Sequence, residues 1–226
     1  MIDDFAKSYL LGDLRSVRQV MLSKLDSLSD YDVRRPLTRT GTNLLGLIKH
    51  LAISEAWYFG DVFGRPFPGD WQRWDAAGHL DTLWVTAGES RDQVVDRYRD
   101  AWVHADATIE ALDIDAPGHV PWWPRPDVKL FNVMVHMLAE TSRHAGHADI
   151  VREQLDGTIG DHGSSVHDER FVALWEGHRA KVDRAAIARN VGRSTRMHSD
   201  TATSTTIPTS VCSSPRCRRP VAGTPP

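Results

Sequence analysis

Cysteine is scarce in this chain: of 226 residues only Cys212 and Cys217 carry thiols, both in a terminal stretch rich in Ser, Pro and Arg. That excludes a disulfide framework or a cysteine nucleophile within a folded core. A surplus of positive charge is also missing, since 27 Lys and Arg face 30 Asp and Glu for a formal net charge of −3. Binders of nucleic acid or anionic lipid usually present a basic face, so neither partner is implied. No apolar run approaches the roughly 18 residues of a spanning helix, and Met1-Ile2-Asp3-Asp4 lacks the basic and apolar regions of a secretion signal. A soluble, cytoplasmic protein is expected. Alternating apolar and polar runs that would make strands are absent as well.

What the chain does have is helical periodicity. Leu10, Leu14, Val17, Met21, Leu25 and Leu28 recur at intervals of three and four, which predicts an amphipathic helix over about 5–28. A second helix should start at the capping candidate Thr42 and run to about Phe63, where Gly64 and Pro66 stop it. Residues 64–88 read as a long connection, pinned down by Trp71, Trp74 and Trp84. Behind the cap Ser90, the series Val95, Tyr98, Trp102, Ala105, Ile109 and Leu112 predicts a third helix to about Asp113. Four prolines, Pro117, Pro121, Pro124 and Pro126, with Gly118, enforce another loop. The fourth helix then spans about 128–155, ended by Asp156-Gly157.

The expected class is therefore all-α, a four-helix bundle with long inter-helix connections over residues 1–160. Phe171, Leu174, Trp175 and Val182 suggest a short helical extension within 161–190, packing on the bundle. Residues 191–226, dominated by Ser, Thr, Pro and Arg, have too little apolar surface to offset the entropy of ordering and are expected to be a disordered tail.

The chemically informative stretch is His136–Asp156. Glu140 and His144 stand one helical turn apart, and at about 100° per residue they share a face with Val133, Met137, Val151 and Leu155. Such a pair is also an ordinary surface ion pair. On an apolar stripe, however, ionisable groups need compensating partners. His50, at the edge of the Leu44, Leu47, Leu51, Tyr58 stripe of the second helix, can supply a third donor. A lone His in that position is equally at home as a partly exposed residue with a satisfied hydrogen bond. Two nitrogens and one carboxylate would suit Zn²⁺, Ni²⁺ or Fe²⁺, and three protein ligands leave room for water or substrate. Arg143 and Arg152 flank the segment and could hold a substrate carboxylate, while Trp57, Tyr58, Trp122 and Trp123 could line a pocket mouth or simply pack.

At these residues the chain also resembles a known group. The runs T-G-T-N-L-L-G-L-I-K-H-L-A-I-S-E-A-W-Y-F around His50 and H-M-L-A-E-T-S-R-H-A-G-H-A-D-I-V-R-E-Q-L-D-G around His144 are similar to the DinB superfamily, in its actinobacterial mini-circle-protein-like branch. The likeness covers about residues 5–160. It implies a four-helix bundle of the DinB type and a divalent metal held by His50, Glu140 and His144. Many relatives have His at the Glu140 position, but the mycothiol-dependent maleylpyruvate isomerase of the superfamily shares the His, Glu, His pattern. His147 falls where many relatives carry Gln, which implies a substrate-facing group or one contacting the metal ligands, with ligation itself the lesser alternative, and His136 is read as structural or partly exposed.

The resemblance further implies a low-molecular-weight thiol such as mycothiol as co-substrate, in a transferase or isomerase acting on a small electrophile. A cation that lowers the pKa of a thiol would explain how the chemistry proceeds without a catalytic cysteine. Two alternatives stay open: a metal-dependent hydrolase using bound water, and a non-catalytic metal-binding stress or interaction protein. A homodimer through exposed helix faces would be ordinary.

Overall fold

A computed structural model describes residues 4–69, 79–160 and 169–199 of the chain, which is mostly helical. Helix α1 is Asp4–Ser23, α2 is Asp30–Arg34 and α3 is Leu44–Tyr58. Helix α4 is Arg91–Ala111, and strands β1 (Pro117–His119) and β2 (Asp127–Lys129) lead into the long helix α5, Leu130–Asp156. Helix α6, Glu169–Ser199, forms a separate compact unit. Among the described residues no helix is long and apolar enough to cross a membrane.

The long helices lie where periodicity places them, but their ends are decided by local hydrogen bonding. Helix α1 stops at Ser23 although apolar spacing continues to Leu28. Lys24 N and Leu25 N bond to the carbonyls of Met21 and Leu22, one residue nearer than in an α-helix, and Ser27 turns into the left-handed region at φ 61°. The expected cap of the second helix moves by one residue. Asn43, not Thr42, caps α3, its Oδ1 accepting from Gly46 N at 2.8 Å. At the far end α3 gives way after Tyr58 to a 3₁₀ turn, Asp61–Phe63, that Gly64 closes at φ 63°. Ser90 does cap α4, in a reciprocal capping box with Gln93. Gly157, at φ 75°, ends α5 as expected.

Three features escape periodicity. The short helix α2 forms before Pro36, with Ser29 Oγ accepting from Asp32 N. In the Pro-rich loop, β1 and β2 pair antiparallel, Gly118 opposite Val128. Strands of three residues are too short to show alternation, and the prolines stand where they need not donate: Pro126 offers its carbonyl to Val120 N at 2.8 Å. Trp84 does not pin the long connection into the core. It is 49% exposed and donates to Asp81 Oδ1 only three residues away, while Trp71 and Trp74 lie outside the described residues. In the separate unit, the helix expected within 161–190 continues to Ser199, past residue 190, and residues 200–226 lie outside the described ones.

Helix α3 is the centre of the first unit. All of its residues except Trp57 are buried, because α4, α5, α2 and two 3₁₀ segments, Asp61–Phe63 and His79–Leu83, pack around it. Its sequence is apolar around most of the circumference, as a core helix must be. The core falls into two clusters, one around Met21, Leu25, Ile48, Leu51, Tyr98 and Val151, the other around Leu14, Phe59, Ile109, Val133 and Met137. Several ionisable residues stand in sequence between members of one cluster and members of the other. Arg18 lies between Leu14 and Met21 on α1, Glu55 between Leu51 and Phe59, and Glu140 with His144 between Met137 and Ala148 on α5.

Candidate metal centre

Helix α3 contributes His50 and α5 contributes Glu140 and His144, and the packing of these helices brings the three together. One ligand atom from each can be chosen so that all lie within 4.8 Å of one another. His144 Nε2 donates to Glu140 Oε1 at 3.0 Å, and His50 Nε2 stands 3.7 Å from the same oxygen. The two imidazoles meet edge to face with centroids 5.0 Å apart. His50 is fully inside, not at the edge its stripe suggested, because α3 is covered on every side.

This donor set fits a divalent cation. Ligand bonds of about 2.0–2.2 Å in a tetrahedral arrangement separate neighbouring donors by about 3.4 Å. The separations of 3.0 and 3.7 Å from Glu140 Oε1 bracket that value, and one ligand atom from each of the three residues can be chosen with all three within 4.8 Å of one another. The other nitrogen of each ring is also engaged. His50 Nδ1 lies 3.4 Å from Thr82 Oγ1, and His144 Nδ1 lies 3.4 Å from His147 Nδ1. Such outer partners orient ligand histidines and hold their tautomers. Thr82, brought in by the 3₁₀ segment His79–Leu83, carries no sequence signal of this role; only the fold of the long connection reveals it.

Electrostatics favour an ionised carboxylate. The hydrogen bond from His144, with the nearby His50 ring, holds the Glu140 carboxyl well below the usual carboxylate range, outweighing its partial burial, and nearby Arg143 adds to the effect. Arg143 Nη1 is 3.3 Å from Glu140 Oε2 on an otherwise exposed side chain. Arg152 does not join the site. It is buried, donating to the Lys24 carbonyl at 2.8 Å and to Asp156, and so ties the end of α5 to the end of α1. His147 is exposed beside His144.

One turn before Glu140, half-buried His136 packs against Tyr58 and Trp123, with ring centroids 4.8 and 4.7 Å away. Burial lowers its pKa against the pull of Glu140. Trp123 Nε1 donates to Tyr58 Oη at 3.2 Å, and Trp57 stacks with Trp122 at 4.1 Å. The four aromatic residues thus form one continuous layer. A second buried group lies further along α3: Arg18 donates through Nε and Nη2 to both oxygens of Glu55, at 2.9 and 2.5 Å, and through Nη1 to Asp106 at 2.7 Å. Its sequence signal was a charged residue on an apolar stripe in each of two helices, Arg18 one turn beyond Leu14 and Glu55 one turn beyond Leu51.

The sequence profile of a family described as mycothiol-S-transferase matches residues 9–157. No curated protein matches the chain significantly. A crystal structure described as that of "the conserved protein of locus from Enterococcus faecalis" aligns with a TM-score of 0.51 at 12% identity, covering 67% of this chain and 98% of that one. At such low identity the likeness concerns the fold alone.

Proposed function

The chain belongs to the mycothiol-S-transferase family, a DinB-like family, and from that premise we propose a metal-dependent enzyme that joins a low-molecular-weight thiol of the mycothiol type to a small electrophile, as a transferase or isomerase. The observation that carries this reading is the convergence of His50, Glu140 and His144 inside a protein with no thiol of its own in the matched residues. We assign these three as the ligands of Zn²⁺, Ni²⁺ or Fe²⁺ in a four-helix bundle of the DinB type, formed by α1, α3, α4 and α5, and place the protein in the cytoplasm.

A divalent cation there would supply Lewis acidity that brings a thiol's pKa toward neutrality. The protein's part is positional. Glu140 stays ionised under the hydrogen bond of His144 and beside the His50 ring, and Thr82 and His147 orient the rings of His50 and His144. In the transfer, the thiol loses its proton and its sulfur forms the new S–C bond. The electron pair of the broken bond leaves with the departing group or, in an addition, ends on the substrate and takes up a proton. His147, exposed beside His144, is the residue we assign to hold or move that proton.

Two measurements test the proposal. Metal analysis of purified protein should find close to one divalent ion per chain in the wild type and a near-complete loss in His144→Ala; unchanged content in that variant refutes the ligand assignment. Turnover of a small electrophile should require added mycothiol, and full activity without any thiol would point instead to hydrolysis by bound water.

A further inference from the structure

The aromatic layer beside the metal centre is built for more than packing. Trp57 and Tyr58 come from the end of α3, Trp122 and Trp123 from the loop between β1 and β2, and His136 from α5. Trp122 is 52% exposed although stacked on Trp57, so a broad apolar ring face is left open to solvent. The Trp123 indole N–H is turned onto the buried Tyr58 hydroxyl, which takes a polar edge out of the surface and fixes the ring. Glu140 is near enough for its charge to act on Tyr58.

We propose that Trp57, Tyr58, Trp122 and Trp123, with His136, form the platform that receives the uncharged sugar portion of a glycosylated thiol, while its sulfur lies at the cluster of His50, Glu140 and His144. The inference rests on the thiol-transfer reading and names the subsite that would select the thiol. Three observations support it. The layer carries no formal charge near neutral pH, since burial holds His136 toward its neutral form and keeps the Tyr58 phenol protonated. That favours a ligand of hydroxyls and C–H faces over an ionic one, and indole faces stack on such C–H surfaces. His136 precedes Glu140 by four residues, about 6 Å of helix rise. In mycothiol a single acylated cysteine separates the sulfur from an aminosugar linked to inositol, which matches a platform offset by one helical turn. Finally, three separate elements hold the rings in place before any ligand arrives, so little ordering is needed on binding.

The test uses the full chain and a probe that cannot engage the metal: N-acetylglucosaminyl-inositol, which is thiol-free and uncharged, titrated by calorimetry. It should bind the wild type, about tenfold more weakly Trp122→Ala, and with intermediate affinity Trp122→Phe. In turnover, the preference in kcat/KM for mycothiol over N-acetylcysteine should fall about tenfold in Trp122→Ala. Circular dichroism and the melting midpoint of both variants check that the fold is kept. Equal affinity of wild type and Trp122→Ala for the probe overturns the platform, as does failure of the wild type to bind it or a change confined to the KM of the electrophile. Probe binding that depends on Trp122, in a protein without thiol-dependent turnover, upholds the platform and refutes the transfer reading. Mycothiol-dependent turnover indifferent to Trp122 does the reverse.

Discussion

Single residues in this protein act through the partners that burial forces on them. Arg18 and Glu55 are both without solvent exposure, so each must be neutralised by the other. Arg18→Met should therefore destabilise the fold by about 3–5 kcal/mol in denaturant titration, since Glu55 is left buried and unpaired, whereas Arg18→Met with Glu55→Leu should recover most of the loss. A double variant no more stable than the single one would contradict this account. The same logic separates the two arginines that flank the candidate metal centre in sequence. Arg143 faces outward and reaches back to Glu140, while Arg152 is taken up by Lys24 and Asp156. Position along a helix cannot tell them apart; which neighbour covers the side chain can.

At the scale of elements, the connection between α3 and α4 matters to the site as much as the helices do. Its 3₁₀ segment His79–Leu83 packs on α3 and brings Thr82 to His50. Gly46 makes that approach feasible: a Cβ there would overlap the carbonyl oxygen of Leu83 and come within 2.9 Å of Asn43 Oδ1. Ala for Gly inside a helix normally stabilises by up to about 1 kcal/mol. Gly46→Ala should do the opposite, destabilising by about 1–3 kcal/mol in thermal or chemical unfolding and weakening metal binding as Thr82 shifts. Stabilisation by the substitution would mean that the segment does not rest on α3. The segment just before β1 has a comparable role, since Leu130 N and Phe131 N bond to the carbonyls of Ala116 and Ile114 and so anchor the start of the helix that bears Glu140 and His144.

For the molecule as a whole, the apolar interior of the first unit falls into two clusters, and Arg18 with Glu55, and Glu140 with His144, stand in sequence between residues of one and residues of the other. Every buried apolar side chain described belongs to residues 11–151, and the chain divides into compact units at Asp168 and Glu169. A chain ending at Asp168 should accordingly unfold cooperatively within a few degrees of the full-length midpoint and retain its metal, as calorimetry and metal analysis can show. A loss of several degrees would assign α6 a part in stabilising the first unit.

By itself the sequence determined the helical class, the approximate extent of the four long helices, the capping of α4 and the end of α5, because periodicity and caps are local properties of the chain. It also pointed to His50, Glu140 and His144, two by helical spacing and all three by family likeness. What only the tertiary structure decided was long-range. Burial of His50 depended on neighbours that surround α3, and the pairing of Arg18 with Glu55 spans 37 residues of sequence. The contact of Thr82 with His50 needed a connection without periodicity to fold back, and the aromatic layer needed three elements to meet. Spacing along a helix sets direction, but distance between helices is set by packing, and a coordination shell requires both.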